Sequence, residues 1–243
     1  MPNTVHIAED WFRSLGWEPF PFQREAWEAC LAGKSGLLNA PTGSGKTYAL
    51  LLPALMEFIR EHPEDYQALS QNGLRLLWIT PIRALSKEIR QAAERAVEGL
   101  GMAWQVASRN GDTSSSERRK IRERPPEILI TTPESLHLML ATPGYPDYFS
   151  QLQSIVVDEW HELLGSKRGV QMELALSRLR ALRPELRCWG ISATIGNLEQ
   201  ALQVLLAEHP HPTPPALLRS GIRKKIEIRA VLAEQVERYP WAG

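Results

Sequence analysis

Cysteine is nearly absent from this sequence: Cys30 and Cys188 are the only two in 243 residues. Two thiols cannot build a metal cluster or a disulfide framework. Cys30 falls in a helix-period apolar pattern and Cys188 in a strand-like run, so both read as reduced core thiols. No stretch reaches the roughly 18 uninterrupted apolar residues of a membrane span. The first residues, "MPNTVHIAEDWFRSLGW", lack a basic region followed by an apolar one, which excludes a secretory leader there. Neither sign of charge is in excess: Lys plus Arg number 28, and so do Asp plus Glu. The overall field therefore selects no polyanionic or polycationic partner, and only local patches could. These absences point to a soluble, cytoplasmic chain with no membrane partner. What is present is ordinary for a globular protein, with 43% hydrophobic and 23% charged residues. The length suffices for one large domain or two small ones. The eight tryptophans read mostly as packing residues.

Short apolar runs alternate with longer helix-period segments. The runs are "GLLNA" (36–40), "LRLLWIT" (74–80), "AWQVAS" (103–108), "EILITT" (127–132), "SIVVDE" (154–159), "RCWGIS" (187–192) and "KIEIRAVL" (225–232). Several are apolar at successive positions, as strands buried on both faces must be. Between them lie segments such as "YALLLPALMEFIREH", "RALSKEIRQAAERAVEGL" and "GVQMELALSRLRAL", apolar at three- and four-residue spacing. The alternation predicts an α/β fold: a doubly wound, mainly parallel sheet with helices on both faces. The proline-rich "AEHPHPTPPALLRSG" (207–221) is expected to leave the compact body, giving a main domain over 1–206 and a connecting segment over 207–243. The closing "EQVERYPWAG" has neither a helix cap nor a polar tail and reads as a cut within a longer chain.

"APTGSGKTYALLLPAL" (40–55) joins a strand to a helix through a loop with little side-chain bulk. The N–H groups around Thr42, Gly43, Ser44 and Gly45 can turn toward one anion, and the helix N-terminus adds its positive dipole end. Lys46 then reaches the β and γ phosphates of ATP, and the Thr47 hydroxyl can hold Mg²⁺. The usual pattern opens with Gly; here Ala40 takes that place. "SIVVDEWH" (154–161) sets two carboxylates at the C-terminal end of an apolar strand, the sheet edge where α/β folds bind ligands. Asp158 can hold Mg²⁺ through its water shell, and Glu159 can orient and deprotonate the water that attacks the γ-phosphate. "HELLG" begins like a zinc-protease helix, but Gly165 stands where the second ligand would be, so no zinc site is expected.

With these residues placed, the chain resembles superfamily 2 helicases of the DExH type. "DEWH" is the DExH box, whose His161 belongs to the family's catalytic set. "FPFQREAW" looks like the Q motif, with Gln23 suited to the adenine edge. "TPIRALSKEI" looks like motif Ia and "TTPESLHLML" like motif Ib. "SATIGN" looks like motif III, where the resemblance gives Ser192 and Thr194 the coupling of ATP state to nucleic acid. "GWEPFPFQ", "NGDTSSSERRK" and "VDEWHELLGSKRG" resemble the Lhr-like group, and within it the bacterial ligase-associated DEXH-box helicases. The resemblance implies a 3′-to-5′ DNA helicase or translocase acting in DNA repair, with a DNA ligase and a nuclease as partners. It also implies two RecA-like domains. Only the first is recognisable here: a second set of strands and an arginine-finger motif are missing from the sequence. The fragment is therefore expected to hydrolyse ATP poorly, since such a finger supplies about 10³–10⁵ in rate.

A translocating enzyme grips phosphates rather than reading bases. Pro81, Arg83, Thr131, Thr132 and Glu134 lie at the strand-end loops of motifs Ia and Ib and are expected to meet a single strand or tailed duplex. Arg109 and the run Arg118, Arg119, Lys120 add positive charge, partly offset by Glu117 and Glu123; a solvated helix face is the alternative for that run. "RSGIRKK" (219–225) reads as interdomain surface or as charge that serves solubility alone. Trp17 and Phe20 are candidates to pack on adenine, or else core residues. An RNA helicase, a P-loop kinase and a non-catalytic ATP switch are the competing functions. A kinase would not be expected to carry "TTPESL" and "SATIGN" in order.

Overall fold

The computed structural model describes residues 4–207 and 213–222. In chain order the elements are α1 (Val5–Ser14), α2 (Pro21–Leu31), β1 (Gly36–Asn39), α3 (Lys46–Glu61), β2 (Leu76–Ile79), α4 (Arg83–Gly99), β3 (Val106–Arg109), α5 (Ser115–Glu123), β4 (Ile128–Thr131), α6 (Pro133–Leu140), α7 (Tyr145–Tyr148), β5 (Ser154–Val157), α8 (Trp160–Leu163), α9 (Lys167–Leu182), β6 (Arg187–Ser192), α10 (Leu198–Leu206) and β7 (Ala216–Arg219).

The strands form one seven-stranded sheet in the order β3-β4-β2-β5-β6-β1-β7. Every pair is parallel. Successive side chains of a strand point to opposite faces, and the core divides accordingly. Leu38, Trp78, Ile130, Val156 and Trp189 pack under α1 to α4. Leu37, Leu77, Leu129, Ile155 and Cys188 pack under the helices that follow β3. The helices show why they fold as they do. In α4 the buried residues Ser86, Ile89, Ala93, Ala96 and Val97 fall on one stripe. Helix α5 opens with a Ser114–Glu117 capping box, and α6 with Thr132 as N-cap and Pro133 at its first turn.

Right-handed crossovers decide which face each helix takes. The chain steps from β1 to β2 to β3 in one direction, then from β3 through to β7 in the other. The loop leaving β1 therefore turns to the opposite face from that leaving its neighbour β6 and from that leaving β5 beyond it. That divergence opens a crevice at the C-terminal strand ends, where such sheets bind ligands. Below it, Arg187 at the start of β6 forms a buried ion pair with Glu57 of α3, with Nη1 donating to Oε1 at 2.9 Å.

Six expected strands are present, several shorter than the apolar run that announced them. β3 begins at Val106 rather than at residue 103; Trp104, just before it, is buried against Phe58 instead. One expectation is corrected. The segment 207–221 does not simply leave the body, because Ala216–Arg219 adds to the sheet as an edge strand beside β1. The prolines around it dominate the sequence pattern, while the free edge of β1 supplies the partner. The expected strand 225–232 lies outside the described residues. Cys30 and Cys188 are both buried and free, and burial pushes both thiols up.

Candidate active site

The loop after β1 is held open by its backbone. Gly43 and Gly45 sit at φ 75° and 79°, a region L-residues avoid. A Cβ on Gly45 would also stand 2.8 Å from Gln23 Nε2. Ser44 Oγ closes the loop by donating to the Pro41 carbonyl at 2.7 Å. Among the described residues, the N–H groups of Thr42 through Thr47 donate to no acceptor. They lie at the N-terminus of α3, with Lys46 as its first residue. An array of unspent donors on a helix dipole is an anion cradle.

The acids arrive from β5. Its backbone register beside β6, and that of β6 beside β1, carries the two loops to one end of the sheet. Asp158 and Glu159 are buried, as is Lys46. Lys46 Nζ donates to Glu159 Oε1 at 3.0 Å. Glu159 caps α8 at φ 47°, an uncommon conformation for a residue with a side chain, so its placement is imposed by its surroundings. Asp158 Oδ1 accepts the Glu159 N–H at 2.9 Å. Burial pushes the Asp158 carboxyl up to about 6; Lys46 opposes this and Glu159 adds to it. His161 Nδ1 lies 3.2 Å from Ser192 Oγ and 3.5 Å from Glu159 Oε2. It thus joins the acid to the end of β6. Thr194 is exposed in the following loop and joins none of these contacts.

Gln23 is buried and bonded at both ends. Its Oε1 accepts the Phe20 N–H at 2.8 Å, and its Nε2 donates to the Gly45 carbonyl at 2.9 Å. It clasps α2 to the loop. The face of Trp17 is covered by Arg95 at 5.3 Å. Phe20, beside Gln23, is 46% exposed. The residues of a magnesium site fit a nucleotide-borne ion. The Thr47 hydroxyl, at the first turn of α3, is partly exposed, and Asp158 supplies one carboxylate. Among the described residues no group of three or more His, Cys, Asp or Glu could hold a metal on its own. Magnesium typically binds through one or two carboxylates plus substrate phosphates.

The expected nucleic-acid residues cluster at the C-terminal ends of β2, β3 and β4. Arg83 is exposed and pairs with Asp112, Nη1 to Oδ1, at 3.0 Å. Thr131 is fully buried, its hydroxyl donating to the Arg109 carbonyl at 2.8 Å, so it braces β3 against β4 rather than facing outward. Thr132 is also buried and caps α6. Arg109 is half-buried and turned into a cavity beside α5. Arg168, at the start of α9, escaped the sequence reading. Its Nη2 donates to the Pro81 carbonyl at 2.9 Å, and its Nε lies 2.6 Å from Glu134 Oε1. Partial burial would raise the Glu134 carboxyl, but its own N–H and Arg168 hold it below the usual range. A single side chain behind the DExH box thus ties the loops of motifs Ia and Ib together. Its separation from Pro81 by 87 positions hides it from pattern reading.

The family model described as DEAD/DEAH box helicase matches residues 20–201. The Lhr helicase/uracil glycosylase of Escherichia coli is 35% identical over 94% of the chain, which covers 16% of that protein. The ATP-dependent helicase Lhr-Core protein 2 of Thermococcus barophilus is 34% identical over 91% of the chain, covering 27% of that protein. A solved structure of the Mycobacterium smegmatis helicase Lhr bound to ssDNA and AMP-PNP superposes with a TM-score of 0.77 and 29% identity. It covers 88% of this chain and 27% of that one. The chain thus spans no more than 27% of the length of these relatives. Its seven-stranded parallel sheet is the RecA-like helicase fold. The chain belongs to the DEAD/DEAH box helicase family.

Proposed function

We propose that this chain is the ATP-binding core of a nucleic-acid-dependent ATPase, the motor of a DNA helicase or translocase. The observation that carries the reading is the meeting of Lys46 and Glu159 at 3.0 Å beside a loop whose N–H donors are unspent. A triphosphate entering that loop gives Lys46 a better partner than Glu159. The ammonium moves to the β and γ phosphates, and Glu159 is released. Held by the α8 backbone, it can then orient a water in line with the γ-phosphate and take its proton. Magnesium, bound with the nucleotide through Thr47 and Asp158, would neutralise charge on the phosphates. Phe20 offers an apolar surface for the base beside Gln23. His161 and Ser192 link the freed acid to β6 and so to the loop bearing Thr194, a route by which nucleotide state reaches nucleic acid.

DNA is the favoured partner because the related Lhr structure holds single-stranded DNA. A second RecA-like domain of a longer protein would supply the arginine finger, consistent with relatives several times the length of this chain. Cytoplasmic DNA repair beside a ligase and a nuclease is supported by the sequence motifs alone. The test is hydrolysis with and without an oligodeoxythymidylate or an RNA of matching length. A two-domain protein containing this chain should be stimulated more by DNA, and Lys46→Ala should abolish turnover. The 243-residue chain alone should bind ATP and turn over slowly. Turnover of many per second by the chain alone would contradict the division of labour.

A further inference from the structure

A cavity of about 680 Å³ lies between α5 and the α6–α7 connection, away from the ATP crevice. Four guanidinium groups line it, those of Arg109, Arg118, Arg119 and Arg122, against the carboxylates of Glu123 and Asp147. Among the described residues, Arg119 is the only one of the four in an ion pair, with Glu123 at 3.2 Å. Among the described residues neither Arg109 nor Arg122 makes an ion pair. Burial depresses the Arg109 guanidinium; Tyr148 opposes this, and Arg118 and Arg122 add to it. Two residues of the cavity wall each carry a polar atom that is buried behind it and bonded to nothing, Tyr148 Oη and Arg118 Nε. Tyr145 completes the wall, its ring backed by Arg178 at 5.2 Å. Crowded cations and orphaned donors are costly unless an anion with acceptor oxygens joins them.

The cavity is also connected to the nucleic-acid edge. Arg118 Nη2 donates to the Gly111 carbonyl at 2.8 Å, in the loop whose Asp112 holds Arg83. The Arg109 carbonyl is held by Thr131 of β4. Its size suits one nucleotide, since ligand pockets run from roughly 300 to 1,000 Å³. We propose that this cavity binds a nucleotide: phosphate oxygens among the guanidinium groups of Arg109, Arg118 and Arg122, and the base against Tyr145. The nucleotide belongs either to a single strand leaving the motif Ia and Ib edge or to a free mononucleotide. The proposal rests on the nucleic-acid reading above for its first source only.

The test is a fluorescence-anisotropy titration of the chain with labelled oligodeoxythymidylate across a salt series, and with labelled dTMP. In the double variant Arg109→Ala/Arg122→Ala, oligonucleotide affinity should fall at least tenfold. The salt dependence should become shallower by about 0.7 per arginine removed. Tyr145→Ala should cost about tenfold with the slope kept, as loss of one stacked base does. Arg122→Lys should keep the slope, which separates charge from folding damage. If the losses appear with dTMP as well, the source is a free nucleotide; if with the oligonucleotide only, it is the strand. Oligonucleotide and dTMP affinities and slopes all unchanged in the double variant would overturn the proposal. Such a result with ATP binding intact would leave the helicase reading standing. Loss of ATP binding with the cavity effects present would do the reverse.

Discussion

Two cationic sites on this molecule are built on opposite plans. At the crevice, Lys46 is buried against an internal carboxylate, Glu159, which on the proposed reading a phosphate would replace. At the β3 edge, Arg109 and Arg122 face a cavity and, among the described residues, form no ion pair, although Glu123 and Asp147 also line it. The first plan makes a switch, because an arriving anion must displace a resident one and thereby frees a base. The second makes a socket, because nothing has to leave. Charge compensation thus separates a place for chemistry from a place for holding.

The largest way to break the first half of that comparison is Glu159→Gln. If Glu159 is the freed base, hydrolysis in a two-domain protein should fall by about 10²–10⁴-fold. Nucleotide affinity should be unchanged or higher, since Lys46 no longer has an anionic competitor. Paired kinetics and nucleotide titration would show this; a fall in affinity matching the fall in rate would break it.

Asp158→Asn probes what the crevice costs when empty. An unfolded aspartate loses its proton near the ordinary carboxylate range, whereas folded Asp158 keeps its proton up to about 6. Between those values the folded state binds more protons, so stability falls as pH rises. The full penalty, about 3 kcal/mol for a shift of roughly two units, is present above pH 6. Urea melts should find the variant more stable than the parent above pH 6, with the difference vanishing near pH 4.

A third, smaller effect is expected at the loop. Gly45→Ala forces an L-residue to φ 79° and sets a methyl against Gln23. That should cost about 1–2 kcal/mol in thermal stability and weaken ATP binding, because Gln23 and the loop move apart. The smallest effect is at Arg168. Its bond to Glu134 is solvent-exposed, so Arg168→Ala should change stability by less than about 1 kcal/mol. DNA stimulation of hydrolysis should nonetheless need several-fold more DNA, with basal hydrolysis unmoved. Arg168→Lys should restore part of the effect.

These contrasts track what the sequence makes legible. The phosphate loop and the acidic strand end are each written in consecutive residues, so both were readable, and their meeting follows from sheet order. The two-faced strands were readable because burial on both sides leaves unbroken apolar runs such as "LLWI" in β2. Strand β7 was obscured because "ALLR" follows a run of prolines and is stabilised by the edge of β1 rather than by its own pattern. Arg168 was invisible because its partners lie 34 and 87 positions away. The basic run of α5 was visible as charge. That Arg122 turns into a cavity was not, because pattern gives no depth to a helix in which only Ile121 is buried. Thr131 likewise reads as a loop hydroxyl, and only its bond to the Arg109 carbonyl shows it to be a brace.

The most direct measurement is an equilibrium titration of the chain and of Lys46→Ala with a fluorescent ATP analogue, with and without magnesium. The account predicts saturable, magnesium-strengthened binding to the parent chain and at least a hundredfold weaker binding to the variant, with the variant's melting temperature kept. Equal affinities would mean that the triphosphate does not sit between Lys46 and the acids of β5.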